Sequence, residues 1–149
     1  LASNPHFGLW PTFLRIAAQR PITLFKVLKQ LRLYPVVETP EAARWALFSK
    51  DMPEEQVLKY HKKLNDESFR MFLDLLGLNL ARPKKIKTPL LILGAEFDNA
   101  ITASQVHATA HGYGLQAEIF PHMAHNMMVE AGWKSVAERI LNWLNKKGV

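Results

Sequence analysis

Apolar residues along the chain fall into two rhythms. Residues 90–93 form a short unbroken run, LLIL, opened by Pro89 and closed by Gly94. A run of that length between chain breakers predicts a parallel strand covered on both faces. Residues 118–120 predict the start of a second strand, broken by Pro121. Between them Thr102, with Gln105 three residues later, is a capping-box signal for a helix ending near Gly112 or Gly114. The order is strand, loop, helix, strand, loop, with Asp98 in the first loop and His125 in the second. A right-handed crossover between parallel strands brings their carboxyl ends to one edge of the sheet. Asp98 and His125 are therefore expected within reach of each other, as when a carboxylate orients a histidine general base.

Upstream the rhythm is helical. Residues 10–19 and 21–32 are amphipathic, the second with Leu24, Phe25, Leu28 and Leu31 at helical spacing and lysines opposite. Pro21 marks the boundary, because proline fits a first helical turn. Residues 34–38 read as a connector. Thr39 and Pro40 predict the N-cap and first position of a helix through Phe48, and the acids of DMPEE, residues 51–55, predict another start. Leu58, Tyr60, Leu64, Phe69, Phe72, Leu73 and Leu76 supply apolar faces for a last pair, with Asn65 or Asp66 as the cap between them and Gly77 as the end. At the far end Trp133, Val136, Ala137, Ile140 and Leu144 form one helical stripe, expected to pack on the sheet.

The basic stretch RPKKIK, residues 82–87, is the best candidate boundary. It divides the chain into the end of a core strand with its exit loop over residues 1–8, a helical cap over 9–81, and an α/β part over 82–149. Residue by residue, aromatics at helical spacing are core. As a set, helices covering a site must show some apolar surface to a substrate pocket, and Trp10, Phe13, Phe48 and Met52 are the candidates for it.

LLILGAEFDNAI, followed by AEIFPHMAHNMMVE and a Trp-bearing last helix, resembles the C-terminal part of an α/β-hydrolase. It is most similar to the lysophospholipase- and esterase-like members with a helical cap. The resemblance implies an α/β fold in which a cap precedes the last parallel strands and their packing helices. It puts the family's acid on Asp98 and its histidine on His125, in the family order nucleophile, acid, histidine. It puts the nucleophile on no residue: there is no G-x-S-x-G, and Ser3, Ser49, Ser68, Ser104 and Ser135 lack the flanking glycines. Ala124 stands where the family more often has glycine before its histidine. The implied activity is hydrolysis of a carboxylic ester or related acyl substrate, with no cofactor and no metal, by a triad of which this chain carries His and Asp only. The implied partners are a small acyl substrate and the missing N-terminal half of the same protein. A sheet that ends in an exposed flank is also expected to pair with a second copy.

With 149 residues, 48% of them hydrophobic, the chain can bury one sizeable core. That is well short of the roughly 250 residues of a complete hydrolase of this kind. The start, LASNP, has neither Met nor the pattern of a signal peptide and reads as a cut end. No apolar run approaches the roughly 20 residues a membrane-spanning helix needs. Absence of cysteine rules out disulfides and thiolate metal sites and favours a cytosolic setting. A net charge of +6 invites nucleic acid, but the cations are dispersed: Lys26, Lys29 and Arg32; Lys59, Lys62 and Lys63; Lys84, Lys85 and Lys87; Lys146 and Lys147. Each group reads as a solvated helix face or linker, and no nucleic-acid motif accompanies them.

Rivals for the chemistry are explicit. Glu96 competes with Asp98, with Asn99 assisting the turn, and His122 competes with His125. His107 and His111, four apart on one helix, together with His122 and His125 are a candidate zinc or copper set, though the glutamate of an H-E-x-x-H helix is absent. A helical interaction module without chemistry would leave the order strand, Asp, helix, strand, His unexplained.

Overall fold

Two parallel strands, β1 (Ile92–Ala95) and β2 (Ala117–Phe120), frame the C-terminal half in a computed structural model that describes residues 4–148. Ile92 pairs with Ala117 and Ala95 with Phe120. Alternation along the strands sends Ile92 and Ile119 to one face, against Val106 and Ala110 of the connecting helix. Ala95 and Phe120 face the other way, against Met123 of the loop after β2 and Val136 of the last helix. Strand β1 is thus covered on both faces, which is why its sequence is a continuous apolar run, whereas the partly buried β2 carries Glu118 at its second position.

Strand β1 begins two residues later than the run predicted and continues through Gly94 instead of stopping there. The ladder decides this: Gly94 and Ala95 pair with Ile119 and Phe120, and the Glu96 N–H still donates to the Phe120 carbonyl at 3.0 Å. Glycine is required inside the strand because a Cβ at position 94 would stand 2.8 Å from Val106 Cγ2 and 2.9 Å from Ile119 Cδ1.

Ahead of the sheet lie five short helices: α1 (Trp10–Gln19), α2 (Pro21–Gln30), α3 (Pro40–Leu47), α4 (Glu54–His61) and α5 (Phe69–Leu73). Thr39 caps α3 by accepting the Ala42 N–H at 3.2 Å. Helix α2 ends at Gln30, with Leu31 left-handed at φ +51. The N-cap of α5 is Ser68, not Asn65 or Asp66. Asp66 is used elsewhere: it accepts the Leu33 and Tyr34 N–H groups and an Arg32 guanidinium bond, tying the end of α2 to this segment. A wide turn over Asp74–Leu78 follows, in which Gly77 sits at φ +152. Ala43, Phe48, Met52 and Val57 form the core of this helical layer, with Val129 of the C-terminal half packed against it.

Helix α6 (Ala103–Gly112) joins the strands, and α7 (Trp133–Lys147) closes the chain with Gly148 at φ +75. The core-strand tail expected over residues 1–4 lies outside the described residues except for Asn4, which makes an isolated antiparallel bridge to Gly8. Among the described residues the sheet has two strands. No helix among them is long and apolar enough to cross a membrane.

Candidate active site

The ladder between β1 and β2 runs on into the loops that follow them. After Glu96 bonds to Phe120, the Phe97 N–H donates to the Met123 carbonyl at 2.8 Å. This carries the two loops side by side and sets Asp98 opposite His125. One carboxylate oxygen, Asp98 Oδ2, lies 2.8 Å from His125 Nδ1. The other, Oδ1, accepts the backbone N–H groups of Ala100 at 2.7 Å and Ile101 at 2.8 Å. Asp98 is only 7% exposed, and both of its oxygens find partners in the protein. With the carboxylate ionised, Nδ1 carries the ring proton and Nε2 is left as the basic nitrogen. Nε2 has no protein partner among the described residues, and His125 borders a cavity.

That cavity measures about 460 Å³ and opens between the helical layer and the loops. Ile16, Leu33, Val36, Trp45, Leu47 and Phe72 make its wall predominantly apolar. A smaller one, about 170 Å³, touches Asp98 and His125 from the β1 side.

The acid loop is held from three helices. Thr12 of α1 donates to the Ala100 carbonyl at 2.8 Å, and Gln105 of α6 donates to the Thr12 hydroxyl at 2.8 Å. Arg15 of α1 donates to the Asn99 and Ala100 carbonyls. Burial pushes the Arg15 guanidinium below its ordinary pKa, opposed by the Asp98 carboxylate, so this cation sits desolvated beside the acid. Asn99 reaches away from its own turn and donates to the Trp45 carbonyl of α3 at 2.9 Å.

The same helix end holds the histidine loop. The Asn126 N–H donates to the Leu47 carbonyl at 3.0 Å. Glu130, 2% exposed, accepts the Ser49 N–H and the Ser49 hydroxyl, both at 2.7 Å. The residues after the acid and after the base thus satisfy carbonyls in the last turn of α3 that have no partner within the helix. None of Thr12, Arg15, Trp45, Ser49 or Glu130 carried a local sequence signal, because each contact joins residues 54 or more apart in sequence.

The sequence rivals find other partners. Glu96 accepts the His122 backbone N–H at 2.9 Å, supporting His122 at φ +58, and the His122 ring packs edge-on against Phe97. The four histidines do not gather, and no cluster of three possible metal ligands forms among the described residues. Of the residues expected to line a substrate pocket, none borders the 460 Å³ cavity, while Met52 lines a separate one of about 490 Å³ beside Ser49, His122 and Glu130. Phe48 and Met52 are buried in the helical core, and Trp10 packs edge-on against Phe13 with half its surface exposed. Helical spacing marked them as apolar but could not say which apolar face turns toward the loops. Four serines are described, and all are spent elsewhere: Ser49 on Glu130, Ser68 on the α5 cap, Ser104 near Thr102, and Ser135 on the Gly132 carbonyl.

Compared with known proteins, the chain matches no family model, no curated protein and no solved structure.

Proposed function

We infer that the chain carries the acid–base half of a serine-type acyl hydrolase, corresponding to the C-terminal part of an α/β-hydrolase. The observation that carries this reading is the buried Asp98 carboxylate, held by two backbone N–H groups and 2.8 Å from His125 Nδ1. In this role His125 Nε2 takes the proton of a nucleophilic hydroxyl and returns it to the leaving group. Asp98 fixes the tautomer and stabilises the imidazolium. The apolar cavity beside His125 suits the acyl part of a carboxylic ester. The serine and the oxyanion donors come, on this reading, from polypeptide outside the 149 residues.

A denaturing intact-mass spectrum of the purified material, followed by treatment with a fluorophosphonate, tests the assignment. A second polypeptide that is labelled at a G-x-S-x-G serine, with labelling lost on His125→Ala, supports it. Labelling that survives His125→Ala and Asp98→Ala in a demonstrably assembled protein sinks it. The chain by itself is expected to leave the probe unreacted.

A further inference from the structure

Helix α2 and its C-cap turn four large apolar side chains outward at intervals of three: Ile22 is 74% exposed, Phe25 66%, Leu28 48% and, at the cap, Leu31 61%. Its one buried residue, Val27, faces inward. A stripe of this size on a solvated helix marks an interaction surface. Its charge says what kind. From Pro5 to Val37 the chain carries Arg15, Arg20, Lys26, Lys29 and Arg32 and not one Asp or Glu. Arg15 is spent on the acid loop, while Lys26 pairs with Glu38 at 2.6 Å and Arg32 with Asp66. Arg20 lies over the Trp45 ring, and neither it nor Lys29 has a carboxylate partner among the described residues.

We propose that the outer face of α2 docks the protein on an anionic lipid surface. Ile22, Phe25, Leu28 and Leu31 enter the headgroup boundary, while Lys29 and Arg20 meet lipid phosphates and the aliphatic stems of Lys26 and Lys29 lie along the interface. A symmetric pairing of two α2 faces would bring Arg20 and Lys29 of each copy together without acids between them, which disfavours a second copy as the occupant. The stripe also leads directly to the cavity: after Leu31 the chain continues into Leu33, Tyr34, Val36 and Val37, all of which line the space beside His125. Docking would place that opening against the lipid. The proposal stands whether or not the chain takes part in acyl transfer.

Flotation of the 149-residue chain with phosphatidylcholine vesicles, with and without phosphatidylglycerol, tests it. The chain is expected to float with the anionic vesicles and much less with the neutral ones. Phe25→Asp should lower the bound fraction at least tenfold, since it puts a charge where docking would bury a ring in the lipid. Lys29→Glu should lower binding to anionic vesicles by about fivefold or more, an effect that added salt masks. Both positions are exposed, so circular dichroism and the urea midpoint should match the unsubstituted chain and separate lost docking from lost folding. Failure of the chain to float, or flotation unchanged by both substitutions, overturns the proposal. So does a dimer in sedimentation that Phe25→Asp dissolves while vesicles capture nothing, which would give the stripe to a second copy.

Discussion

Asp98 is defined by which oxygen does what. Because Oδ1 must accept two backbone N–H groups, an amide at this position keeps its oxygen there and turns its NH₂ toward His125. Asp98→Asn should therefore flip the imidazole to the Nε2–H tautomer, read directly from its nitrogen shifts by NMR on this chain. An unchanged tautomer would mean the carboxylate does not control the ring. In an assembled hydrolase the same change should cost roughly 10³-fold or more in kcat. Gly94 makes the complementary point about space. With Val106 and Ile119 already against the strand, Gly94→Ala should lower stability by about 1–3 kcal/mol in urea unfolding. Both residues stood out in the sequence, Asp98 as the acid after a strand and Gly94 as a breaker. Only for Asp98 did that signal suggest the contact found, with His125, since glycine spacing does not distinguish a strand end from a helix pressed against a strand.

Among the elements, the end of α3 links the two loops. Its last carbonyls bind Asn99 and Asn126, and Glu130 holds Ser49 just beyond it. Glu130→Ala leaves the Ser49 N–H and hydroxyl buried without an acceptor, an expected loss of about 2–3 kcal/mol. Hydrogen exchange at Ser49 and Asn126 should speed up together in that variant; independent behaviour of the two amides would contradict a shared anchor. Helix α7 is tied to β2 in another way. Arg139 donates to both oxygens of Glu118, with its Nε 2.6 Å from Oε2, and these bonds hold the Glu118 carboxyl below its ordinary range. A carboxyl whose pKa is lower folded than unfolded adds stability that is fully present above the unfolded value, about 4.3, and disappears as pH falls through the folded one. The urea midpoint should thus decline on acidification below that region, and Glu118→Gln should flatten part of the decline. The pair is largely solvated, so the effect is small.

For the molecule as a whole, the consequential feature is the flank of β1 that pairs with no other strand among the described residues. One edge of β1 pairs with β2, and alongside the approach to β1 a shallow groove of about 380 Å³ lies between residues 89–93 and Ile140 and Trp143. Unpaired strand edges beside apolar surface recruit further strands. The isolated chain is expected to dimerise with rising concentration in sedimentation velocity, and Leu91→Lys should weaken the association where Phe25→Asp does not. A monomer throughout would show that the flank is closed. The sequence by itself determined the elements and their order, because helix caps, prolines and the switch from helical spacing to a continuous apolar run act within a few residues. It also determined that Asp98 and His125 follow successive strands. Tertiary structure alone decided that α1 and α3 hold their loops, that Phe48 and Met52 turn into the core, and that the α2 stripe faces outward. Those outcomes depend on contacts between residues far apart in the chain, whose energies belong to pairs of surfaces and leave no mark in either segment read alone.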